Sequence, residues 1–330
     1  MTAGASTAPR VRRSLPSGWR VIAAKELADH LASVRFVVLL IVLGIAALIP
    51  LYFASETIRS LADRASGAPA IFLALFTFHP QGVSFLNVQS FVAMAAPLLG
   101  IGFAFDAING ERAEGTLPRL LSQPIHRDDV VNGKFVGGLA VISIVLAVMV
   151  AAVAAFGMLR LGIVPAVDDV VRLVAWLWVT ILYVALWLAF GLLLSVAIRR
   201  AATSALVGFG VWLFVAVPLF GPFLAQLLGG FLAAGAKTAA DYAGTIQWAQ
   251  RLLPGQIYAE ASAALLSPGV TTVSASDIYG AQYGQQLQAS ALTVDQSLLL
   301  VWPHIVWLIA LASVCFAGAY IRFMRQEVRA

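Results

Sequence analysis

Six stretches of the chain contain no Asp, Glu, Lys or Arg: 36–55, 65–105, 135–159, 173–198, 201–236 and 296–321. Each is mainly apolar and long enough for a helix that crosses a bilayer, which takes roughly 20 residues at about 1.5 Å each. Two are too long for one span. In the second, Gly67, Pro69, His79, Pro80 and Gly82 interrupt the first part and leave 83–105 as the span. In the fifth, Pro218, Gly221 and Pro222 mark an exit near residue 220, and a re-entrant pair of half-helices fits the same stretch. The pattern predicts an all-α polytopic membrane protein. Its six transmembrane helices fall at about 36–55, 83–105, 135–159, 173–198, 201–220 and 298–321, within a domain covering 35–322.

The segments between the spans differ in character. Residues 1–16 are rich in Ala, Ser, Pro and Arg and read as a disordered basic tail. Over 17–34, Trp19, Ile22, Ala23, Leu27, Leu31 and Val34 recur at helical spacing, with Arg20, Lys25, Glu26 and Asp29 largely on the other side. This predicts an amphipathic helix in the inner membrane interface, held by Trp19, Arg20 and Lys25. A simple extension of the first span fits less well, because Lys25, Glu26 and Asp29 are costly in hydrocarbon. The partly apolar loop 56–82 lies on the membrane or dips into it. An insert over 223–299 is long enough for a small outer subdomain, with an amphipathic stretch ahead of a Gln- and Ser-rich coil. Residues 323–330 form an inner C-terminal tail.

Charge sets the orientation. Lys and Arg stay on the cytoplasmic side of membrane proteins. With the N-terminus inside, the inner segments hold fifteen of the twenty-one, and both termini are cytoplasmic in a multi-pass protein of a bacterial inner or plasma membrane. The chain is 11% charged, against about a quarter for soluble domains, and its mean hydropathy is +0.90. Its net charge of +5 then reads as attachment beside anionic lipid rather than nucleic-acid binding. The N-terminal basic region is not followed by a short apolar core and cleavage site, so the first span is expected to act as an uncleaved signal. The single cysteine, Cys315, falls within the last span and reads as a small packing residue.

Familiar catalytic chemistry is missing. Gly133-Lys134 lacks the earlier glycine of a Walker A loop and is followed by Phe135 rather than Ser or Thr. There is no zinc-helix motif and no nucleophile elbow, and the four histidines lie far apart. An intramembrane enzyme is therefore a poor reading. The charge-free centres of the spans offer no carrier for a coupling ion, so any work across the membrane needs a partner to power it. A transported group would be largely apolar or amphiphilic.

One inner segment stands out. Residues 106–134 carry nine charges between two apolar runs. Gly115 can stop a helix that leaves the second span, Thr116 can cap a short second helix, and Pro118 suits its first turn. Pro124 closes that helix, Asp128 or Asp129 can cap the third span, and Lys134 would reach back to the interface. A thirty-residue capped elbow exceeds what an inner turn requires, since Arg199-Arg200 makes one with two residues. It reads as a docking surface for a cytoplasmic protein.

Asp106, Glu111-Arg112, Gly115-Thr116-Leu117, Leu120-Leu121-Ser122, Pro124, Arg127 and Gly133-Lys134 resemble the signature loop of type-2 ABC exporter permeases. The nearest likeness is to the branch that includes the permease of nitrous-oxide-reductase maturation. "AAKELADHLASVR" resembles that family's N-terminal connecting helix, "RLLPGQIYAEASAALLSP" its outer segment before the last span, and "IRFMRQEVR" its basic exit. The long outer insert departs from the compact members. The resemblance implies a coupling helix that docks on a separate ATPase subunit through Glu111, Arg112, Gly115, Thr116, Leu117, Arg119 and Leu120. It further implies two permease chains, identical or different, with two ATPase chains that bind ATP and Mg; this chain would bind no cofactor. Gly133 and Gly137, at GxxxG spacing, permit close contact between helices. A second reading keeps the ATPase but has the chain transmit force to an extracytoplasmic partner, or assist its assembly, without transport.

Overall fold

A computed structural model describes residues 18–60, 72–78, 87–118, 122, 125–215, 220–235, 238–267 and 292–326. The predicted tail over 1–16, the end of the C-terminal tail, and most of the Gln- and Ser-rich coil lie outside them. The first six helices are α1 (Gly18–Leu31), α2 (Val34–Ser60), α3 (Ala74–Thr77), α4 (Val88–Ala104), α5 (Asn109–Ala113) and α6 (Arg127–Leu161). There follow α7 (Val167–Ala197), α8 (Ala201–Val215), α9 (Gly221–Leu232), α10 (Ala239–Gln250), α11 (Pro254–Leu266) and α12 (Val294–Arg325). No strand occurs among the described residues.

Five helices, α2, α4, α6, α7 and α12, carry segments long and apolar enough to cross a membrane. They match the first four predicted spans and the last. Several outrun the charge-free stretches because their caps lie in the polar flanks. Asn87 accepts the Ser90 N–H at 2.7 Å to start α4, and Thr293 accepts the Gln296 N–H at 3.4 Å to start α12. Gly162, at φ +67°, ends α6 in the left-handed conformation that glycine adopts without strain.

The predicted fifth span is described only in part: α8 covers Ala201–Val215 and α9 begins at Gly221, while residues 216–219 lie outside the described residues. The fifteen residues of α8 by themselves reach about 22 Å, against a hydrocarbon core of about 30 Å.

Directions follow from named contacts. The α4–α7 crossing is close because a Cβ on Gly100 would meet the Leu188 nitrogen at 2.7 Å, and one on Gly191 the Ile101 Cα at 3.1 Å. At one end of this parallel pair, Ser195 meets Ile108; at the other end of α7, Arg172 meets Ser297. So α4, α7 and α12 run from the far end toward the end that bears residues 105–126. Trp212 on α8 donates to the Met94 carbonyl at 3.0 Å, while Gly208 lies against Ile101, which makes α8 antiparallel to α4. Helix α7 is the most enclosed of the five.

The far end is a packed polar and aromatic lattice. Arg172, buried, donates to the Leu265 carbonyl at 3.3 Å, to Ser297 Oγ at 2.8 Å and to the Leu292 carbonyl. Trp176 donates to Ser262 at 3.0 Å, and Thr180 lies 2.9 Å from the Tyr258 hydroxyl, whose ring stacks on Tyr183. Helix α11, expected in an outer subdomain, is thus part of the core. The apolar stretch of the 56–82 loop also folds inward: Phe72, Leu73, Leu75 and Phe76 are buried, with Phe76 edge-on to Trp176.

Candidate functional site

The elbow begins where α4 ends. Ser195 Oγ, buried at the end of α7, accepts the N–H groups of Ile108 (3.0 Å) and Asn109 (3.2 Å), capping α5 from outside. Asn109 in turn donates its side-chain amide to the Ile198 carbonyl at 3.2 Å. Helix α5 ends in a Schellman motif: Gly115 sits at φ +68°, Thr116 N–H donates to the Glu111 carbonyl at 2.9 Å, and Gly115 N–H to that of Arg112 at 3.3 Å. Thr116 Oγ1 also donates to the Glu111 carbonyl, at 3.2 Å, so its hydroxyl closes the turn behind it. A further turn follows, with Ser122 N–H donating to the Pro118 carbonyl at 3.0 Å.

Three contacts fix the elbow to the bundle. Leu117 is fully enclosed. Gln326, just past α12, accepts from Arg112 at 2.5 Å through its side chain and from Arg127 at 3.2 Å through its carbonyl, while its amide donates to the Val196 carbonyl at 2.9 Å. Lys134, only 6% exposed, places its ammonium 2.7 Å from both Glu111 Oε1 and Glu26 Oε1. The ammonium points into the protein rather than back to the interface. A buried cation held by two carboxylates is costly to break, because whatever loses its partner keeps its desolvation penalty.

Helix α1 belongs to the same assembly. Asp129 accepts the Trp19 N–H at 3.0 Å through one oxygen and the His126 N–H at 3.1 Å through the other, so one carboxylate caps the starts of both α1 and α6. The GxxxG notch is filled from within the chain. A Cβ on Gly133 would meet the Ile22 Cβ at 2.6 Å, and one on Gly137 the Glu26 Cβ at 2.8 Å. His30 packs edge-on to Phe103 with centroids 5.0 Å apart and lies 3.6 Å from Glu26. Burial lowers the His30 imidazole below its ordinary value; the Lys134 charge adds to this and Glu26 opposes it.

The expected site residues therefore separate into two kinds. Glu111, Arg112, Leu117 and Lys134 face inward and build the elbow. Ala113, Glu114, Gly115, Thr116 and Pro118 form its exposed rim, while Arg119 and Leu120 lie outside the described residues. Trp19 is half-buried, with the Arg20 guanidinium 5.3 Å from its ring; Arg20 and Lys25 are exposed, and Lys25 pairs with Asp29 at 3.6 Å. Reading the sequence missed Glu26, Ser195 and Gln326. A signal existed for Glu26: one turn after Ile22, it falls on the apolar face of α1. Ser195 and Gln326 carry no local signal. Among the described residues no three metal-ligating side chains converge. The elbow is braced against the ends of α4, α6, α7 and α12.

Comparison with known proteins agrees with that architecture. A family model described as ABC-2 family transporter protein matches residues 20–328. The probable ABC transporter permease protein NosY of Stutzerimonas stutzeri is 30% identical over 203 residues, 59% of this chain and 66% of the relative. Its namesake from Pseudomonas aeruginosa is 29% identical over 206 residues, 61% of this chain and 67% of the relative. The chain thus spans just under two thirds of the first relative's length. With a match across nearly all its residues and five helices fit to cross a membrane, the chain belongs to the ABC-2 transporter family of multi-pass membrane proteins.

Proposed function

We propose that the chain is the membrane permease subunit of an ATP-driven exporter. Its elbow receives a cytoplasmic ATPase dimer that binds ATP and Mg. One observation carries the reading: a loop braced on four helix ends still presents a compact rim, from Ala113 to Pro118, with only Leu117 turned inward. Bracing of that kind suits a lever, because a soft loop would absorb the stroke it is meant to pass on.

The elbow end is cytoplasmic in this reading, since it gathers Arg112, Arg127, Arg199 and Arg200, and both termini lie on that side. The chain then crosses the membrane six times. The fifth crossing begins with α8, which is antiparallel to α4. A second permease chain completes the unit, and the cargo is apolar or amphiphilic. Solubilising the chain from its native membrane tests the proposal. A Walker-motif ATPase should co-purify in equal amount, and Glu114→Lys should reduce its recovery at least several-fold while the permease itself stays folded. Absence of any ATPase, in conditions that hold other membrane complexes together, would refute the reading.

A further inference from the structure

We infer that Lys134 is a positioning residue that latches α1 to the elbow, so that the N-terminal helix moves with the lever instead of serving only as a membrane anchor. The place of the lever in an ABC permease rests on the reading above. The latch itself rests on this chain's geometry.

Glu26 and Glu111 lie on separate elements 85 positions apart, and each places an oxygen 2.7 Å from the same ammonium. Their side chains are 16% and 21% exposed, so water screens them only in part. Lys134 is rooted in α6, two turns from its start. Without the cation, two carboxylates would face each other across a narrow gap, and each could relax only by moving its own element away. With it, α1 and the elbow share a single counter-ion.

Two further features make α1 a rigid partner. Asp129 ties its first turn to the start of α6. Gly133 and Gly137 bring its backbone against α6, where a longer side chain would hold it off. Protonated His30 would offer the carboxylates a second cation, but burial and the nearby Lys134 charge disfavour that form. Asp29 and Asp106 act on His30 in the direction that favours its protonation, but the cation within 2.7 Å of both Glu26 and Glu111 is Lys134.

Hydrogen exchange on the full chain in lipid nanodiscs tests the latch without any partner. Lys134→Met should speed exchange about tenfold or more in both α1 and α5, the scale of a lost hydrogen bond between charged groups. Helix α11 at the far end should keep its protection. Reversing all three charges, Lys134→Glu with Glu26→Lys and Glu111→Lys, restores an opposite charge at each contact and should restore protection in both segments. Should Lys134→Met also expose α11, the triple variant Lys134→Met, Glu26→Gln, Glu111→Gln removes the repulsion and should leave only α1 and α5 loosened. Faster exchange in α5 with α1 unchanged, or no recovery on charge exchange, would overturn the latch. Recovery of the ATPase from the same wild-type membranes is scored separately, so its absence would refute the permease reading and leave the exchange result standing.

Discussion

Glycine at residue 133 decides how close α1 can lie. A Cβ there would sit 2.6 Å from the Ile22 Cβ, a distance that requires helix movement rather than a rotamer change. Gly133→Val should therefore destabilise the protein by about 1–3 kcal/mol, as overpacking usually does. Gly44, where an added Cβ would meet nothing within 4 Å, is the control: Gly44→Ala should be neutral or slightly stabilising. Thermal unfolding in one detergent reads both. A similar residue-scale logic shows why α1 was only partly legible. Its helical spacing is plain from Ile22, Ala23 and Leu27, and Arg20, Lys25 and Asp29 lie on the exposed side. Glu26 breaks the pattern because its partner, Lys134, is distant in sequence and becomes its neighbour only when α1 docks.

Among the elements, long charge-free runs are read reliably because bilayer thickness sets their length. All five long helices in the described fold begin or end within a few residues of the charges that bound those runs, although α4 starts at its own Asn87 cap. The failures are tertiary. Helix α11 looks like an amphipathic surface segment, yet Tyr258, Ser262 and Glu260 find partners on α7 and α12. Glu260 gives that docking a pH dependence. Burial pushes its carboxyl up, but the contacts with His304 and Gln256 and the Arg251 charge outweigh this, and on balance it lies below the ordinary value of 4.5. A carboxyl depressed on folding contributes stability that is complete above its unfolded value and lost as the pH falls through its folded one. Exchange protection in α11 should accordingly be level above about pH 4.5 and decline below it. Glu260→Gln should flatten that decline, and an unchanged pH profile in the variant would show that Glu260 is not its source.

At the scale of the molecule, among the described helices α4, α7 and α12 run toward the elbow and α2, α6 and α8 away from it. Those that approach, α4, α7 and α12, all end in contacts with the elbow or Gln326. The elbow's turn at Gly115 was readable in the sequence, because turn chemistry is local. The internal division of the elbow was not, since Glu111 and Leu117 look as polar-loop and docking residues should until the bundle closes around them.

The measurement that bears most directly on the lever is photo-crosslinking from adjacent elbow positions in native membranes. A photoreactive side chain at exposed Thr116 should give an adduct with a Walker-motif ATPase. The same group at Leu117, which is enclosed by the bundle, should give only internal products or an unfolded chain. Equal ATPase adducts from a folded Leu117 variant, or none from Thr116 in a complex that still contains the ATPase, would contradict the account.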